Sequence, residues 1–217
     1  MTPNSTTRAL HRKAEEMRII LLRAGRPDCG ALYNPRTRVG FSSWTVILGD
    51  LRGAAPLSEE VRAQLLALRA GPEPGEPYGR RVLHRDETGE VMLAGWGADA
   101  EGAPHDHAGG VGVVRMLAGA FTETDWVWRD GILTPGPSRR WGVGESIPVV
   151  AGGIHSMAAH GAGTTLHLYR PAISGMRVFD PARRQTLSVS DDCGAWVPRN
   201  EALILARVDW QTAWQRE

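Results

Sequence analysis

Two histidines, His105 and His107, flank Asp106 just ahead of a glycine-rich apolar stretch. Alternate residues of a β-strand point to the same face, so both imidazoles could face the inside of a barrel while Asp106 points away. Two imidazoles at this spacing can chelate a metal ion. Taken alone, however, the pair does not distinguish a metal site from a polar turn that contains histidine.

A third histidine extends this pattern. His155 ends the segment GGIH, residues 152–155, and the two histidine segments together resemble the two sequence motifs of the cupins. The first cupin motif has a glutamate after its histidine pair and a glycine further on; here Gly112 stands at the glutamate position and Gly119 at the glycine position. The second motif is less complete, because Val150 stands where a proline is expected. The resemblance implies three neutral histidine ligands and no carboxylate.

A three-histidine site favours an anionic ligand. Three neutral imidazoles leave the full double charge on a ferrous ion, whereas two histidines and one carboxylate partly neutralise it. A thiolate supplies negative charge, and coordination lowers a thiol's pKa below its free value of about 8.5. Three imidazoles also suit nickel, cobalt, copper or zinc, so the ligand set alone leaves the metal open.

Further segments resemble one branch of the cupins, the cysteine dioxygenase family. They lie in order between Tyr78 and Asp180, over roughly half of the chain, and only their combination is specific. The resemblance implies a cupin β-barrel that uses iron and O2 to oxidise a small thiol. The segments are YGRRVL, WG, HDH, RMLAGAFTET, GGIH, TLHLYRP and FD.

The resemblance also implies a substrate pocket built from four residues. In the family an arginine two residues after a tyrosine binds the substrate carboxylate, and Arg80 follows Tyr78 at that spacing. A guanidinium can hold a carboxylate through two parallel hydrogen bonds. The alternative for Arg80 is an ordinary surface ion pair. Trp96 matches a tryptophan near the iron, and Met176 stands where a cysteine often lines the pocket, which adds bulk near the substrate.

Thr165, His167 and Tyr169 alternate along the segment TLHLY and would therefore share one face of a strand. By resemblance, the Tyr169 hydroxyl lies beside the reacting sulfur and donates a hydrogen bond or a proton, while His167 and Thr165 orient it from behind. Thr165 replaces the family's serine, which keeps the hydroxyl and adds a methyl. The alternative for Tyr169 is a core aromatic whose hydroxyl bonds to any neighbour.

Several departures from the family leave the substrate and product open. Gly112 stands where animal enzymes carry a cysteine that crosslinks to the tyrosine, so no thioether can form. In a related class that oxidises 3-mercaptopropionate, an arginine after the tyrosine strand binds the carboxylate. Arg170 and Arg177 lie near that position but at other spacings, which favours L-cysteine. His160 lies five residues after His155, yet His155 is the better ligand because it follows the glycines of the motif.

Two helices are predicted ahead of the histidine segments. Apolar residues at helical spacing within residues 10–21 indicate one amphipathic helix. Ser58, as an N-cap followed by two glutamates, begins a second helix that ends at Gly71.

From Tyr78 onward the pattern changes to short apolar runs separated by Gly, Pro and Asp, which is typical of antiparallel strands. A chain of this size protects its edge strands by closing a barrel or a two-sheet jelly roll. We therefore expect one domain over residues 1–217, mainly helical over 1–77 and a β-barrel core over 78–217. The predicted fold class is all-β with N-terminal helices, a cupin double-stranded β-helix.

The whole-chain composition is that of an ordinary soluble protein, with 42% hydrophobic residues and a formal net charge of +1 over 217 residues. It offers no basic excess for nucleic acid and no apolar run long enough for a signal peptide or a membrane span. We expect a cytoplasmic monomer or small homo-oligomer whose partner is a small thiol. Cys29 and Cys193 lie far apart and form no zinc or disulfide pattern.

The combined expectation is an Fe(II)-dependent thiol dioxygenase that converts a small thiol, with L-cysteine as first choice, to the sulfinate with O2. Two other enzymes fit: a biosynthetic cupin that carries cysteine oxidation on to a rearranged product such as a sulfonamide, and a 3-mercaptopropionate dioxygenase. A cupin that senses a metal or a ligand without turnover is the alternative from another class. The presence of Arg80, the three histidines and Tyr169 together counts against that last alternative.

Overall fold

The computed structural model of the protein describes residues 57–210. The first predicted helix, within residues 10–21, lies outside the described residues. The second is confirmed as α1, Glu59–Ala67, and the Ser58 side chain caps it by accepting a hydrogen bond from the Val61 amide at 3.3 Å. No helix within residues 57–210 combines the length and the apolar character that a membrane span needs.

Within the described residues, nine β-strands follow the helix, as the pattern of short apolar runs predicts. A short 3-10 turn, Glu201–Leu203, precedes the last of them. The strands are β1 Tyr78–Asp86, β2 Gly89–Trp96, β3 Val111–Arg129, β4 Ile132–Trp141, β5 Ser146–Val149, β6 Ile154–Arg170, β7 Arg177–Asp180, β8 Gln185–Val189 and β9 Ile204–Asp209.

The strands form two antiparallel sheets. The larger has the order β1-β2-β6-β3-β4, with β5 also paired to β3, and the smaller has the order β7-β8-β9. Single β-bridges from His105 to His155 and to Val178 connect the histidine segment with β6 and β7. The two sheets have the arrangement of a double-stranded β-helix, as the sequence predicts, but over residues 57–210 they do not close into one barrel.

Strands β3 and β6 are neighbours in the larger sheet, and β6 carries four of the ten predicted site residues. They pair along nearly their whole length, from Val111 opposite Arg170 to Trp126 opposite Ile154. The pairing bends at Gly119, whose φ of +84° suits glycine and where a Cβ atom would lie 2.9 Å from the Ala162 carbonyl oxygen. Strand β6 carries His155 near its start and the TLHLY residues, 165–169, near its end.

The inner core is continuous with the candidate site. Its buried residues include the site aromatics Tyr78, Trp96 and Tyr169 together with purely structural residues such as Phe121 and Ile147. Tyr78 and Trp96 pack with ring centroids 4.5 Å apart, and Trp96 meets Phe121 edge-on at 5.6 Å. The side chains that would meet a substrate are thus held by the same packing that stabilises the fold.

Candidate metal centre and substrate cavity

The three predicted histidine ligands converge. His105, His107 and His155 are all buried, and each offers a ring nitrogen that lies within 4.8 Å of the others. Backbone hydrogen bonds in both directions between His105 and His155, of 2.9 and 3.1 Å, fix the distance between the two segments. Within residues 57–210 no carboxylate or thiol joins this cluster.

The segment that carries His105 and His107 is not a regular strand. Only His105 forms β-bridges, and Asp106 and His107 lead into a turn closed by the Gly110 amide on the His107 carbonyl at 2.8 Å. Asp106 does point away from the histidines, as expected, and it is buried. It accepts hydrogen bonds from the Arg177 backbone amide at 3.1 Å and from Arg177 Nε at 2.7 Å. This ion pair between the buried Asp106 and the exposed Arg177 anchors the histidine segment to β7.

Two of the three imidazoles are oriented by acceptors behind them. His105 Nδ1 lies 3.0 Å from the Ala103 carbonyl oxygen, and His155 Nδ1 lies 2.8 Å from Glu123 Oε1. If each Nδ1 carries the proton, each Nε2 keeps its lone pair for a metal. Sequence reasoning missed Glu123, although it lies in the quoted segment RMLAGAFTET.

The surroundings of His107 are those expected of a metal ligand. Both of its ring nitrogens are buried, and neither has a hydrogen-bond partner within residues 57–210. A buried polar atom without a partner is costly, and a metal bond would satisfy one of these nitrogens.

Burial also keeps the imidazoles of His105 and His107 neutral, which is the form that binds metals. Burial, and next repulsion from His155, lowers the pKa of His105 to about 3. Burial, and next repulsion from His105, lowers the pKa of His107 far below its ordinary range. Both ligands would therefore be deprotonated throughout the physiological pH range.

Gly112 lies directly beside Tyr169 on the paired strands β3 and β6. A Cβ atom at Gly112 would approach the Leu168 carbonyl oxygen to 2.1 Å and Tyr169 Cδ1 to 2.9 Å. The backbones of the two strands are therefore too close for a glutamate or a cysteine side chain at this position. The absence of a carboxylate ligand is thus part of the strand packing.

Thr165, His167 and Tyr169 form a hydrogen-bonded row on one face of β6, as their spacing predicts. Thr165 Oγ1 lies 2.7 Å from His167 Nε2, and His167 Nδ1 lies 2.7 Å from the Tyr169 hydroxyl oxygen. Trp96 Nε1 extends the row by donating to Thr165 Oγ1 at 3.0 Å. All four side chains are buried.

The indole fixes only the first hydrogen bond of this row. An indole N–H can only donate, so Thr165 Oγ1 accepts from Trp96, and the Thr165 proton is available for His167 Nε2. If Thr165 donates to His167 Nε2, His167 carries its proton on Nδ1 and donates it to the Tyr169 oxygen. In that arrangement the Tyr169 hydroxyl proton points at whatever occupies the cavity. Burial raises the pKa of Tyr169 well above its ordinary range, so the phenol keeps that proton.

One cavity brings nine of the ten predicted site residues together, and Thr165 lies behind it. Glu90 and Cys193, which sequence reasoning did not single out, also line it. Met176 forms part of the wall and packs against the inner core. The nine predicted residues are Tyr78, Arg80, Trp96, His105, His107, His155, His167, Tyr169 and Met176.

Arg80 is a partly buried anchor, with its side chain 18% exposed, rather than a surface ion pair. Its Nη1 donates to the backbone carbonyls of Asp191 at 2.7 Å and Cys193 at 2.8 Å, which fixes the loop after β8 against the cavity. The Tyr78 hydroxyl accepts from the Ala195 amide at 2.7 Å in the same loop. These partners lie more than 100 positions away in the sequence, so no local pattern indicates them.

A buried acid stands beside Arg80. Glu90 is 1% exposed, with Oε1 3.7 Å from Arg80 Nη2 and Oε2 3.1 Å from Arg85 Nη1. Burial raises the pKa of Glu90, while Arg80 and Arg85 act in the opposite direction. Cys193 is also buried, and burial raises the pKa of its thiol to about 11, so it stays protonated.

The family model for cysteine dioxygenase type I matches residues 76–182. No curated protein matches the chain.

Several solved structures of low sequence identity resemble the chain. An uncharacterized conserved protein with a double-stranded β-helix domain from Klebsiella pneumoniae is 18% identical, with 54% of this chain and 94% of that chain covered and a TM-score of 0.41. KdgF from Halomonas sp. is 16% identical, with 55% and 94% covered and a TM-score of 0.40. An RmlC-like cupin from Shewanella frigidimarina is 19% identical, with 49% and 86% covered and a TM-score of 0.39.

Proposed function

Because the chain belongs, through residues 76–182, to the cysteine dioxygenase type I family, we propose that it is a non-haem iron enzyme that oxidises a small thiol, L-cysteine first, to the sulfinate. The reaction joins one thiol and one O2, and both oxygen atoms end on sulfur. The observation that carries the proposal is the convergence of three buried histidines on a cavity that also holds Arg80 and the Tyr169 hydroxyl.

The proposed iron ligands are His105, His107 and His155. When bound there, Fe(II) supplies a binding point for a thiolate and the electrons that activate O2. An imidazole ligand carries no charge of its own, so three of them would leave the metal charge uncompensated and favour an anionic sulfur ligand over a neutral one. Nickel and other divalent ions suit the same imidazoles, which makes the metal identity part of the proposal.

Arg80 and Tyr78 are the proposed contacts for the substrate carboxylate. Arg80 uses Nη1 for two loop carbonyls and retains Nη2 and Nε, because its nearest approach to Glu90 is 3.7 Å. The remaining N–H groups can meet a carboxylate in the cavity. Tyr78 accepts from a backbone amide, and burial raises its pKa to about 12, so its own proton is free for a second hydrogen bond.

Tyr169 is the proposed proton or hydrogen-bond donor to the reacting sulfur and oxygen. We assign the row the direction from Trp96 through Thr165 and His167 to the Tyr169 oxygen, which leaves the Tyr169 hydroxyl proton for the cavity. Trp96 is thus a positioning residue rather than only a wall of the pocket. Met176 sets the shape of the same cavity beside the substrate.

Replacement of His107 by alanine tests the proposal. We expect His107→Ala to lose iron binding and cysteine-dependent O2 consumption together, because two histidines cannot hold the ion at the same affinity. His160→Ala is the matched control, since the His160 side chain is exposed and, among the described residues, bonds to the Thr122 hydroxyl at 2.8 Å. A His107→Ala protein that oxidises cysteine at the wild-type rate would exclude this site as the reaction centre.

One panel of thiols tests both which substrate is oxidised and which product is formed. Assays with L-cysteine, 3-mercaptopropionate and cysteamine, followed by product mass, separate a sulfinate-forming enzyme from one that makes a rearranged product. Arg177 is already bonded to Asp106, which favours L-cysteine over a substrate class that needs a free arginine there.

A further inference from the structure

Glu123 on β3 stands directly behind one of the three histidines. Its Oε1 lies 2.8 Å from His155 Nδ1, and its Oε2 accepts a hydrogen bond from Trp141 Nε1 at 3.0 Å. Its side chain is only 12% exposed, and the His155 side chain is 10% exposed. Both carboxylate oxygens are therefore held, one by the histidine and one by the indole.

The strand arrangement makes this contact possible. Strand β3 lies between β6 and β4, and Glu123 is paired with Met157 on β6 and with Arg139 on β4. The glutamate can therefore reach a histidine on one neighbour and a tryptophan at the end of the other. This contact is separate from the cavity, because Glu123 is not among the residues that line it.

We propose that Glu123 is a positioning residue of the metal centre: it fixes the ring of His155 and supplies the negative charge that the ligand set lacks. A carboxylate behind a ligating histidine holds the proton on the outer nitrogen, orients the ring and makes the inner nitrogen a stronger donor. The inference rests on the metal site of the proposed function and is independent of the substrate.

The other two histidines show why Glu123 matters. His105 is backed by a neutral backbone carbonyl, and His107 has no partner on either ring nitrogen within residues 57–210. At Gly112, where a carboxylate ligand would stand, the paired strands leave no room for a side chain. The chain thus keeps a carboxylate one imidazole away from the metal instead of on it, and His155 becomes the most strongly donating of the three ligands.

Trp141 would hold the carboxylate in place. Its indole N–H takes the second oxygen of Glu123, so the side chain cannot rotate away from His155 without losing a hydrogen bond. Trp141 also packs against the inner core, which fixes the indole. We therefore assign Trp141 to the same positioning unit.

The test measures the affinity of the metal-free protein for Co(II) by competition with a chelator. We expect Glu123→Ala to bind Co(II) about 10- to 100-fold more weakly than wild type, the usual loss for removal of such a partner. Glu123→Gln, which keeps the shape and an acceptor oxygen but loses the charge, should fall between the two. Trp141→Phe should weaken binding in the same direction by less.

Two variants control for general effects. Glu145→Gln removes the same charge from an exposed turn, and Trp210→Phe removes an indole hydrogen bond, that to Thr186, from another part of the core. Both should bind Co(II) like wild type. The melting temperature of each metal-free variant shows whether it is folded, and the near-isosteric Glu123→Gln keeps the comparison available if Glu123→Ala does not fold.

The outcomes separate the two proposals. Wild-type affinity in folded Glu123→Gln and Glu123→Ala proteins would overturn the role of Glu123 while the iron site stands. A wild-type protein that fails to bind Co(II), Fe(II) or Ni(II) would overturn the metal site itself, and this inference with it. An equal loss of Co(II) affinity in Glu145→Gln would show that the effect comes from the net charge of the protein, and it would also overturn the inference.

Discussion

Arg80 is the residue whose role changes most between sequence and structure. Its side chain holds two carbonyls of the loop after β8 and stands beside the buried Glu90, so it is both a structural anchor and the candidate carboxylate contact. Truncation removes both functions at once. A milder replacement is therefore needed to separate them.

We expect Arg80→Lys to raise KM for L-cysteine about tenfold or more with little change in kcat, because an ammonium lacks the planar fork that holds a carboxylate. Cysteamine has no carboxylate, so its kinetics should change much less. Steady-state O2 uptake with both thiols measures the difference. An equal fall in kcat/KM for the two thiols would show that Arg80 does not bind the substrate carboxylate.

Strand β6 is the element that links the two halves of the site. It carries His155 near its start and the Thr165, His167 and Tyr169 row near its end. A change at Thr165 therefore reaches the cavity only through the row, since Thr165 does not line the cavity. This makes Thr165 the best place to test whether the direction of the row matters.

Thr165→Val should lower kcat by about tenfold or more while metal affinity is retained, because the buried imidazole loses the hydroxyl that sets its tautomer. Thr165→Ser should restore the rate, since it keeps the hydroxyl. Trp96→Phe should have an effect in the same direction. Equal rates for the valine and serine variants would exclude a role for the row in turnover.

Features that depend on local sequence could be predicted, whereas contacts that depend on the pairing of distant strands could not. The helix after Ser58, the change to β-structure at Tyr78 and the alternation in TLHLY follow from local patterns, and the structure agrees with all three. Glu123 and the carbonyl partners of Arg80 depend on which strands and loops become neighbours. Glu123 is 32 positions from His155, and only the β3–β6 register brings them together.

At the scale of the whole molecule, the buried neutral histidines make stability depend on pH. Burial, and next repulsion from His155, lowers the pKa of His167 to about 3, against an ordinary value of 6.5. Below pH 6.5 the unfolded chain binds a proton at this residue and the folded protein does not. Above pH 6.5 the free energy of unfolding is therefore independent of the titration of His167, and it falls as the pH drops from 6.5 toward 3.

We expect the free energy of unfolding of the metal-free protein to fall with acidification by about 1.4 kcal/mol per pH unit for each such histidine. Urea denaturation at several pH values below 6.5 measures the slope. His167→Gln should reduce the slope of the unfolding free energy against pH by the contribution of one histidine, about 1.4 kcal/mol per pH unit. His160→Gln, at an exposed site, should leave this slope unchanged. An unchanged slope in His167→Gln would contradict a neutral buried His167.

The most direct test of the proposed chemistry is the mass of the product formed from L-cysteine by the Fe(II)-loaded protein under oxygen-18 gas. A thiol dioxygenase gives cysteine sulfinate that carries two labelled oxygen atoms, with one O2 consumed per cysteine, and the His107→Ala protein gives none. Cystine as the only product, or a product with a single labelled oxygen, would contradict the proposal that this three-histidine centre adds both atoms of O2 to sulfur.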